Sequence, residues 1–236
     1  MMRRRLLVAA LVLASAPAAR ATDVRLGADM AWVQDSSFDA FWTNDLFSRF
    51  DVCLAYTTFA SVPFRLDAEL GYGYAGYLGA TAAFAAIESE LSVHDAYVGL
   101  RASIDPPGLS WLRPYVRVQG GATFGLASFR DASADDAPAY EDWSVGGLVY
   151  GGGGVELVLP LGVFLDEPPA PLSEPMAFGI FLEGGYFYRS ALSFHPAIPA
   201  PEDEDEAADR IPVAGFSAGD VVLSGGELRI GFVARL

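Results

Sequence analysis

The chain has 236 residues, of which 52% are hydrophobic, and a formal net charge of −15, with arginine supplying all fifteen basic residues. Without lysine it cannot supply a P-loop or Schiff-base lysine, and its acidic balance disfavours nucleic acid, whose phosphates bind basic surfaces. The length suits one domain. Cys53 is the single cysteine, so an intrachain disulfide is excluded, and we expect a small packed thiol.

The first 21 residues predict a secretory signal peptide. Arginines at 3–5 precede an apolar stretch at 6–14, and Ala19-Arg20-Ala21 forms a cleavage motif. The apolar stretch is too short to cross a bilayer as a helix, although an uncleaved anchor is the alternative interpretation. We therefore expect residues 1–21 to be removed on export, leaving residues 22–236 as one mature domain.

The mature chain alternates apolar and polar residues with the period of two that predicts β-strands. The alternation is clearest at 64–74, where Arg65, Asp67 and Glu69 share one face and apolar or aromatic side chains share the other. After the signal peptide, no apolar run is long enough for a membrane helix. Eight segments carry the alternation, at 23–32, 50–60, 64–74, 91–103, 115–127, 145–159, 178–189 and 222–236.

The links between these predicted strands alternate in length. Long links follow the first, third, fifth and seventh strands, at 33–49, 75–90, 128–144 and 190–221. Short proline-marked turns follow the second and fourth strands, at 61–63 and 105–108. Long loops at one end and short turns at the other are typical of outer-membrane barrels. The proline-rich link at 162–177 is the exception, and it leaves the strand count open around residues 160–177.

Aromatic residues gather near the ends of the predicted strands, as expected for rings at two membrane–water interfaces. The outer ends carry Trp32, Tyr72, Tyr74, Tyr77, Tyr186 and Tyr188. The inner ends carry Phe64, Trp111, Tyr115 and Phe178.

Three stretches carry a family resemblance. Residues 112–125 read LRPYVRVQGGATFG, residues 151–160 read GGGGVELVLP, and residues 227–236 form a terminal alternating strand. Together they resemble small bacterial outer-membrane barrels of the outer-membrane protein A or W type, apart from Leu236, which replaces a terminal aromatic residue. The resemblance implies an all-β, antiparallel, up-and-down transmembrane β-barrel of eight strands in a Gram-negative outer membrane. It also implies that the assembly machinery recognises the C-terminal strand.

The polar faces of the predicted strands carry seven arginines and seven acids, which we assign to the barrel lumen. They are Arg25, Asp29, Arg65, Asp67, Glu69, Asp95, Arg101, Arg117, Glu156, Glu183, Arg189, Glu227, Arg229 and Arg235. Side chains just fill an eight-stranded barrel, and a buried charge is strongly destabilising unless it is paired. We therefore predict a plugged, ion-paired lumen, with a conducting pore as the alternative.

The acidic excess falls in the links. Its strongest run is Glu202, Asp203, Glu204, Asp205 and Glu206. Runs of like charge stay solvated, which predicts a disordered hydrophilic loop. The alternative is weak binding of divalent cations that bridge to anionic lipopolysaccharide, because such cations prefer oxygen ligands. We expect no cofactor and no zinc, since two histidines and one cysteine supply too few ligands.

Two Ser-x-His pairs are the candidate catalytic groups. They are Ser92 with His94, and Ser193 with His195. Residues two apart share a strand face, so each hydroxyl could approach its imidazole, and Glu90 or Asp95 could supply an acid to the first pair. The chain has no nucleophile elbow, however, and we predict that it is not an enzyme.

The four glycines at 151–154 are a candidate phosphate-binding run. Phosphate binding would require a helix to follow, whereas this run continues into a predicted strand. We expect these glycines to make room for large side chains on neighbouring strands.

The sequence thus favours a non-enzymatic outer-membrane barrel with a structural or surface-interaction role, in contact with membrane lipid and lipopolysaccharide. A narrow porin-like conduit for small or apolar solutes is one alternative. A soluble periplasmic lipid-binding β-barrel is another, because periodicity alone does not say which face turns inward.

Overall fold

A computed structural model describes the chain at residues 21–41, 45–82, 87–109, 111–131, 139–160, 177–195 and 219–235. These residues form ten β-strands and one 3-10 helix, η1. The elements are β1 (Ala21–Val33), η1 (Ser36–Ala40), β2 (Leu46–Ser61), β3 (Phe64–Ala82), β4 (Ile87–Ile104), β5 (Leu112–Asp131), β6 (Tyr140–Pro160), β7 (Ala177–Arg189), β8 (Leu192–Phe194), β9 (Gly219–Val221) and β10 (Gly225–Arg235).

Eight of the strands close into an antiparallel barrel. Neighbours from β1 to β7 pair in chain order, and β10 closes the ring between β7 and β1. The predicted all-β, up-and-down barrel of eight strands is therefore confirmed. The short strands β8 and β9 form a separate ribbon between β7 and β10.

The stagger of the strands sets their tilt. Cross-strand partners followed once around the barrel from Asp23 on β1 return to β1 at Val33, ten residues further on. With a rise of about 3.3 Å per residue and about 4.8 Å between strands, this stagger tilts the strands about 40° from the barrel axis. Each residue therefore advances about 2.5 Å along the axis.

The two ends of the barrel differ in their connections. Short links at 62–63 and 105–111 join strands at one end, which we term the turn end, and β1 begins and β10 finishes there. The opposite end, which we term the loop end, carries η1 and the β8–β9 ribbon. Among the described residues, no helix combines the length and apolar character of a transmembrane helix.

Strands β3 to β6 run further toward the loop end than the sequence predicts. Pairing continues to Ala82 with Ile87 and to Phe129 with Tyr140, so most of the links predicted at 75–90 and 128–144 belong to strands. The strand β2 likewise begins at Leu46, within the predicted link 33–49, whereas β10 begins at Gly225 rather than at residue 222.

On β4 and at the end of β5 the extension escapes prediction because the alternation changes its sense near the loop end. On β4, Leu91 and Val93 are buried inside the barrel and Glu90 is exposed. Nearer the turn end of β4 the order is the reverse, with Arg101 inside and Leu100 outside. The same strand is thus apolar outside over one part of its length and apolar inside over the other.

Three predictions concern residues outside the described part of the chain. They are the signal peptide up to residue 20, the link at 162–176 and the acidic run 202–206. The strand β1 already includes Ala21, the last residue of the predicted signal peptide.

Candidate functional site

Arg101 is the centre of the ion pairs nearest the turn end. Its guanidinium lies 2.6 Å from Asp23 and 2.8 Å from Asp67. It also lies 3.2 Å from Glu156 and 3.3 Å from Glu69. All five side chains are buried. The planar guanidinium, with five donors, allows one arginine to bind carboxylates from several strands at once.

Arg117 and Arg25 extend the network toward the middle of the barrel. Arg117 lies 2.6 Å from Glu69 and 3.3 Å from Glu183. Arg25 lies 3.9 Å from Glu183 and donates a 2.8 Å hydrogen bond to the Tyr115 hydroxyl. Tyr115 therefore points into the lumen, and its predicted place in the inner aromatic row is wrong. Its position two residues from Arg117 on β5 puts both side chains on the same face.

Arg229 links the middle of the network. Its guanidinium lies 3.0 Å from Glu227 and 3.1 Å from Asp29. It lies 3.4 Å from Glu183 and 3.6 Å from Asp51. These carboxylates come from four consecutive strands of the ring, β7, β10, β1 and β2, so Arg229 pairs with its own strand, both adjacent strands and one strand beyond.

Asp95 ends the network on the loop-end side. It accepts hydrogen bonds from Arg49 at 2.5 Å, from Arg189 at 2.7 Å and from the Thr123 hydroxyl at 2.6 Å. Arg189 also donates to the carbonyl oxygen of Leu223, at 2.9 Å. Asp95 thereby joins two buried arginines just below the segment that precedes β10.

The structure brings all fourteen predicted lumen residues into the barrel interior. Twelve of them are buried. The other two, Arg65 and Arg235, are half-buried at the turn end. Arg65 lies 2.8 Å from Asp67, and Arg235 lies 3.5 Å from Asp23.

Three members of the network are missing from the sequence-based set, namely Asp23, Arg49 and Asp51, all of them buried. Arg49 fell within a predicted link because β2 begins earlier than its apolar alternation indicates. Asp23 and Asp51 have the parity of Arg25 and Cys53 on their strands, and this parity is the signal that could have found them. With these three the network has eight arginines and nine carboxylates rather than the predicted seven of each.

A second layer, which we term the apolar cap, fills the barrel at the loop end. Fifteen buried residues form it: Ala31, Val33, Phe38, Phe41, Phe47, Ala75, Ile87, Leu91, Val93, Ala127, Phe129, Leu192, Phe194, Val221 and Leu223. Strands β1 to β5, η1, the β8–β9 ribbon and the segment before β10 all contribute. The cap was not predicted, because most of these residues fall in the links assumed to be exposed loops.

The 3-10 helix η1 holds the centre of the apolar cap. The ring of Phe41, which follows η1, lies 5.8 Å from that of Phe129 and 6.0 Å from that of Phe194, centre to centre. The Asp35 carboxylate caps η1 by accepting a 2.9 Å hydrogen bond from the Ser37 amide, and hydrogen bonding to Ser37 lowers the pKa of Asp35. The Ser37 hydroxyl also accepts from the amide nitrogen of residue 222, at 3.2 Å, which ties η1 to the segment after β9.

Glycines in the wall make room for large interior side chains, but the expectation for the run 151–154 holds only in part, because Gly151 and Gly153 have the outward parity of Val149 and Val155. The hydroxyl of Tyr150 occupies the space where side chains at Gly152 and Gly185 would lie. Phe181 lies in the same way over Gly231, its partner in the β7–β10 pairing. The glycine run at 151–154 continues as strand β6, and no helix begins there.

The two acids considered for the first Ser-x-His pair lie on opposite faces of β4, with Glu90 on the outer face. Asp95 is buried inside the barrel, whereas Ser92 and His94 share the outer face of β4. His94 Nδ1 lies 2.5 Å from the Tyr72 hydroxyl. In the other pair, the Ser193 hydroxyl donates to Asp220.

Cys53 lies in a small buried cluster in the middle of the barrel. Its neighbours there are Tyr97, Leu148, Tyr150 and Phe187. The thiol is 1% exposed, which agrees with the predicted packing role. Among the described residues, no group of histidine, cysteine and acidic side chains has the arrangement of a metal site.

Several solved structures match the chain over most of its length, at low sequence identity. Neisserial surface protein A has 14% identity over 92% of this chain and 97% of that chain, with a TM-score of 0.40. The attachment invasion locus protein Ail of Yersinia pestis has 11% identity over 91% of this chain and 99% of that chain, also with a TM-score of 0.40. The N-terminal β-barrel domain of Pseudomonas aeruginosa OprF has 14% identity over 91% and 98%, with a TM-score of 0.28.

The last of these is itself described as a β-barrel domain. No protein-family model matches the chain, and no curated protein sequence matches it. At such low identities the comparison transfers no ligand or partner to this chain.

Proposed function

We propose that this chain is an outer-membrane β-barrel protein with a structural or surface-interaction role, and that its lumen is closed to solutes. The observation that carries the proposal is the distribution of polarity across the wall. Seventeen charged side chains form one network inside, while the outer face is apolar. In water this arrangement would bury charged groups and expose apolar surface. It is stable when lipid surrounds the outer face.

The height of the apolar outer face supports a membrane location. On β7 the exposed side chains from Phe178 to Tyr188 are apolar or aromatic, apart from Gly184. These ten residue steps extend about 25 Å along the axis, close to the apolar band of about 25 Å in such barrels. The soluble lipid-binding alternative needs the opposite orientation, with the apolar face inward over the same strands.

Two layers support a closed lumen. The ionic network extends from Arg65 near the turn end to Arg189 near the loop end, and the apolar cap lies beyond Arg189. Water would have to break buried ion pairs and then enter a cluster lined by phenylalanine. The two layers together favour a plugged barrel over the narrow conduit.

Single-channel conductance tests the closed lumen. We expect wild-type protein refolded into a planar bilayer to insert and remain silent, while a known porin inserted by the same procedure conducts. Steady openings whose conductance changes in Arg229→Gln would overturn the proposal in favour of a conduit, because Arg229 lies at the centre of the ionic network. Recovery of the protein in the soluble periplasmic fraction, rather than in carbonate-washed outer membrane, would refute the membrane location.

We also propose that the C-terminal strand presents the chain to the outer-membrane assembly machinery. Its outer face carries Leu228, Ile230 and Phe232, all exposed, and its pairing with β1 closes the ring. Replacing Phe232 with Glu is expected to reduce the amount assembled in the outer membrane. Unchanged assembly would remove this proposal.

A further inference from the structure

The outer wall carries a second apolar surface nearer the loop end, which we term the β5–β6 patch. It consists of Phe124 and Leu126 on β5 and Trp143 and Val145 on β6. All four are exposed, and Trp143 is 71% exposed. Large exposed apolar patches mark contact surfaces.

The β5–β6 patch stands above the aromatic rim of the rest of the barrel. The strand stagger puts Trp143 about 10 Å further along the axis than Trp32 on β1 or Tyr188 on β7. From Trp143 to Leu159 the outward positions of β6 carry only apolar residues and glycine. This face is about 40 Å tall, against about 25 Å on β7.

Polar groups border the patch on three sides. At a similar height, β4 turns Ser92 and Glu90 outward. On the other side Ser193 and His195 are exposed, and their amides donate to Ser144 and Asp142 of β6. Toward the loop end come Arg130, paired with Glu88, and the exposed Glu141. The patch therefore continues without a polar break only toward the turn end, into the apolar face of the barrel.

This continuity indicates what covers the patch. A second copy meeting it face to face would bring Glu88, Glu90 and Glu141 close to the same acidic residues, with one arginine on each side to offset them. Lipid meets no such barrier, because the surface below the patch is the lipid-facing wall.

We propose that lipid of the outer leaflet covers the β5–β6 patch, so that the membrane contacts the barrel higher on β5 and β6 than around the rest of its circumference. The inference rests on the proposed membrane location. A taller apolar face is accommodated by local thickening of the bilayer or by tilting of the protein, and each needs only a modest free energy per ångström. The lipid-contacting face thus differs in height around the barrel, being tall at β5–β6 and short at β1–β2.

Quenching of tryptophan fluorescence tests this inference. The chain has four tryptophans, at 32, 42, 111 and 143, and replacing three with Phe leaves Trp143 as the single reporter. The protein is refolded into vesicles whose lipids carry bromine at the headgroup end of the acyl chains. We expect Trp143 to be quenched at least about twofold more by these lipids than by aqueous acrylamide, as for an interfacial residue.

A matched control uses the polar face at the same height. Glu90→Trp, in a chain whose native tryptophans are all Phe, lies within about 2 Å of the height of Trp143 but on β4. This reporter is expected to respond to acrylamide rather than to brominated lipid. Equal lipid quenching at both sites would mean that lipid contact depends only on height along the barrel axis and not on the apolar face of β5 and β6. This result would overturn the inference.

A second control separates this inference from the proposed membrane location. A chain with Trp111 as its single tryptophan places the reporter at the turn end, where it is exposed. Lipid quenching of Trp111 without quenching of Trp143 overturns the β5–β6 inference alone. No lipid quenching at either site overturns the membrane location. Acrylamide protection of Trp143 without lipid quenching, together with a cross-linked dimer, would assign the patch to a second copy.

Discussion

The ring of Tyr97 occupies the space that a side chain at Gly71 would fill. The two residues are direct partners in the β3–β4 pairing, and the Tyr97 hydroxyl reaches on to Asp51 of β2, to which it donates a 2.6 Å hydrogen bond. Gly71 on β3 thus leaves room for the Tyr97 side chain of β4 to lie over the inner surface of β3 and reach β2. At Gly27, too, a neighbouring side chain fills the space, because the Asp51 carboxylate lies against this glycine.

Gly71→Ala is expected to destabilise the barrel by about 1–3 kcal/mol, because the new methyl group must displace a packed ring. The displacement also strains the Tyr97 hydrogen bond to Asp51. Equilibrium unfolding in urea, with the protein in lipid vesicles, measures the change. Gly151→Ala is the matched control, since nothing lies within 4 Å of the added methyl group. Equal stability of the two variants would contradict this account.

Arg101→Ala is expected to lower the free energy of unfolding by about 3–5 kcal/mol, because it removes a guanidinium that four buried carboxylates share and leaves the network one positive charge short. The control is Arg130→Ala, which removes one exposed partner of Glu88 and is expected to change stability by less than about 1 kcal/mol. The same unfolding measurement applies. A small effect at Arg101 would mean that its carboxylates are compensated by water or protons rather than by this arginine.

Phe41→Ala is expected to cost about 3–5 kcal/mol, because it empties the centre of the apolar cap. Val62→Ala at the turn end, where Val62 is 94% exposed, should be nearly neutral. Proteolysis from the outside of intact vesicles gives a second measurement, since a loosened cap exposes η1. Protection identical to wild type, despite lost stability, would show that η1 stays in place without Phe41.

Cys53 should resist thiol reagents in the folded barrel and react after unfolding, because its sulfur is buried beside Tyr97 and Tyr150. Mass spectrometry after maleimide treatment, with and without denaturant, counts the labelled chains. Ser92→Cys serves as the control for an outward position on the wall, with its own label distinguished from Cys53 by peptide mapping. Rapid labelling of Cys53 in folded protein would indicate an interior open to small solutes and would favour the conduit.

The sequence predicted the barrel well where one polarity pattern holds along a strand. Near the turn end, parity on β3 and β10 assigned Arg65, Asp67 and Arg235 to the interior, where the structure also has them. It failed at the loop-end parts of β4 and β5, where inward residues such as Ile87 and Phe129 are apolar and outward residues such as Glu88 and Arg130 are polar. The period of two remains there, but apolar residues face inward and polar residues face outward. A prediction that assigns charged residues to the interior and apolar residues to the outer face therefore places these segments in loops.

The sequence by itself determined that strands alternate with a period of two, that eight segments carry this alternation, and that arginines and acids occur in nearly equal number on one face. These are local properties, carried by side-chain order along each strand. Only the tertiary structure decided which charges pair, because Arg101 and Arg229 each join carboxylates from strands far apart in the chain. It also decided that Phe38, Phe41 and Phe194 meet in one cap, since contact between separate links depends on barrel closure and on the ten-residue stagger.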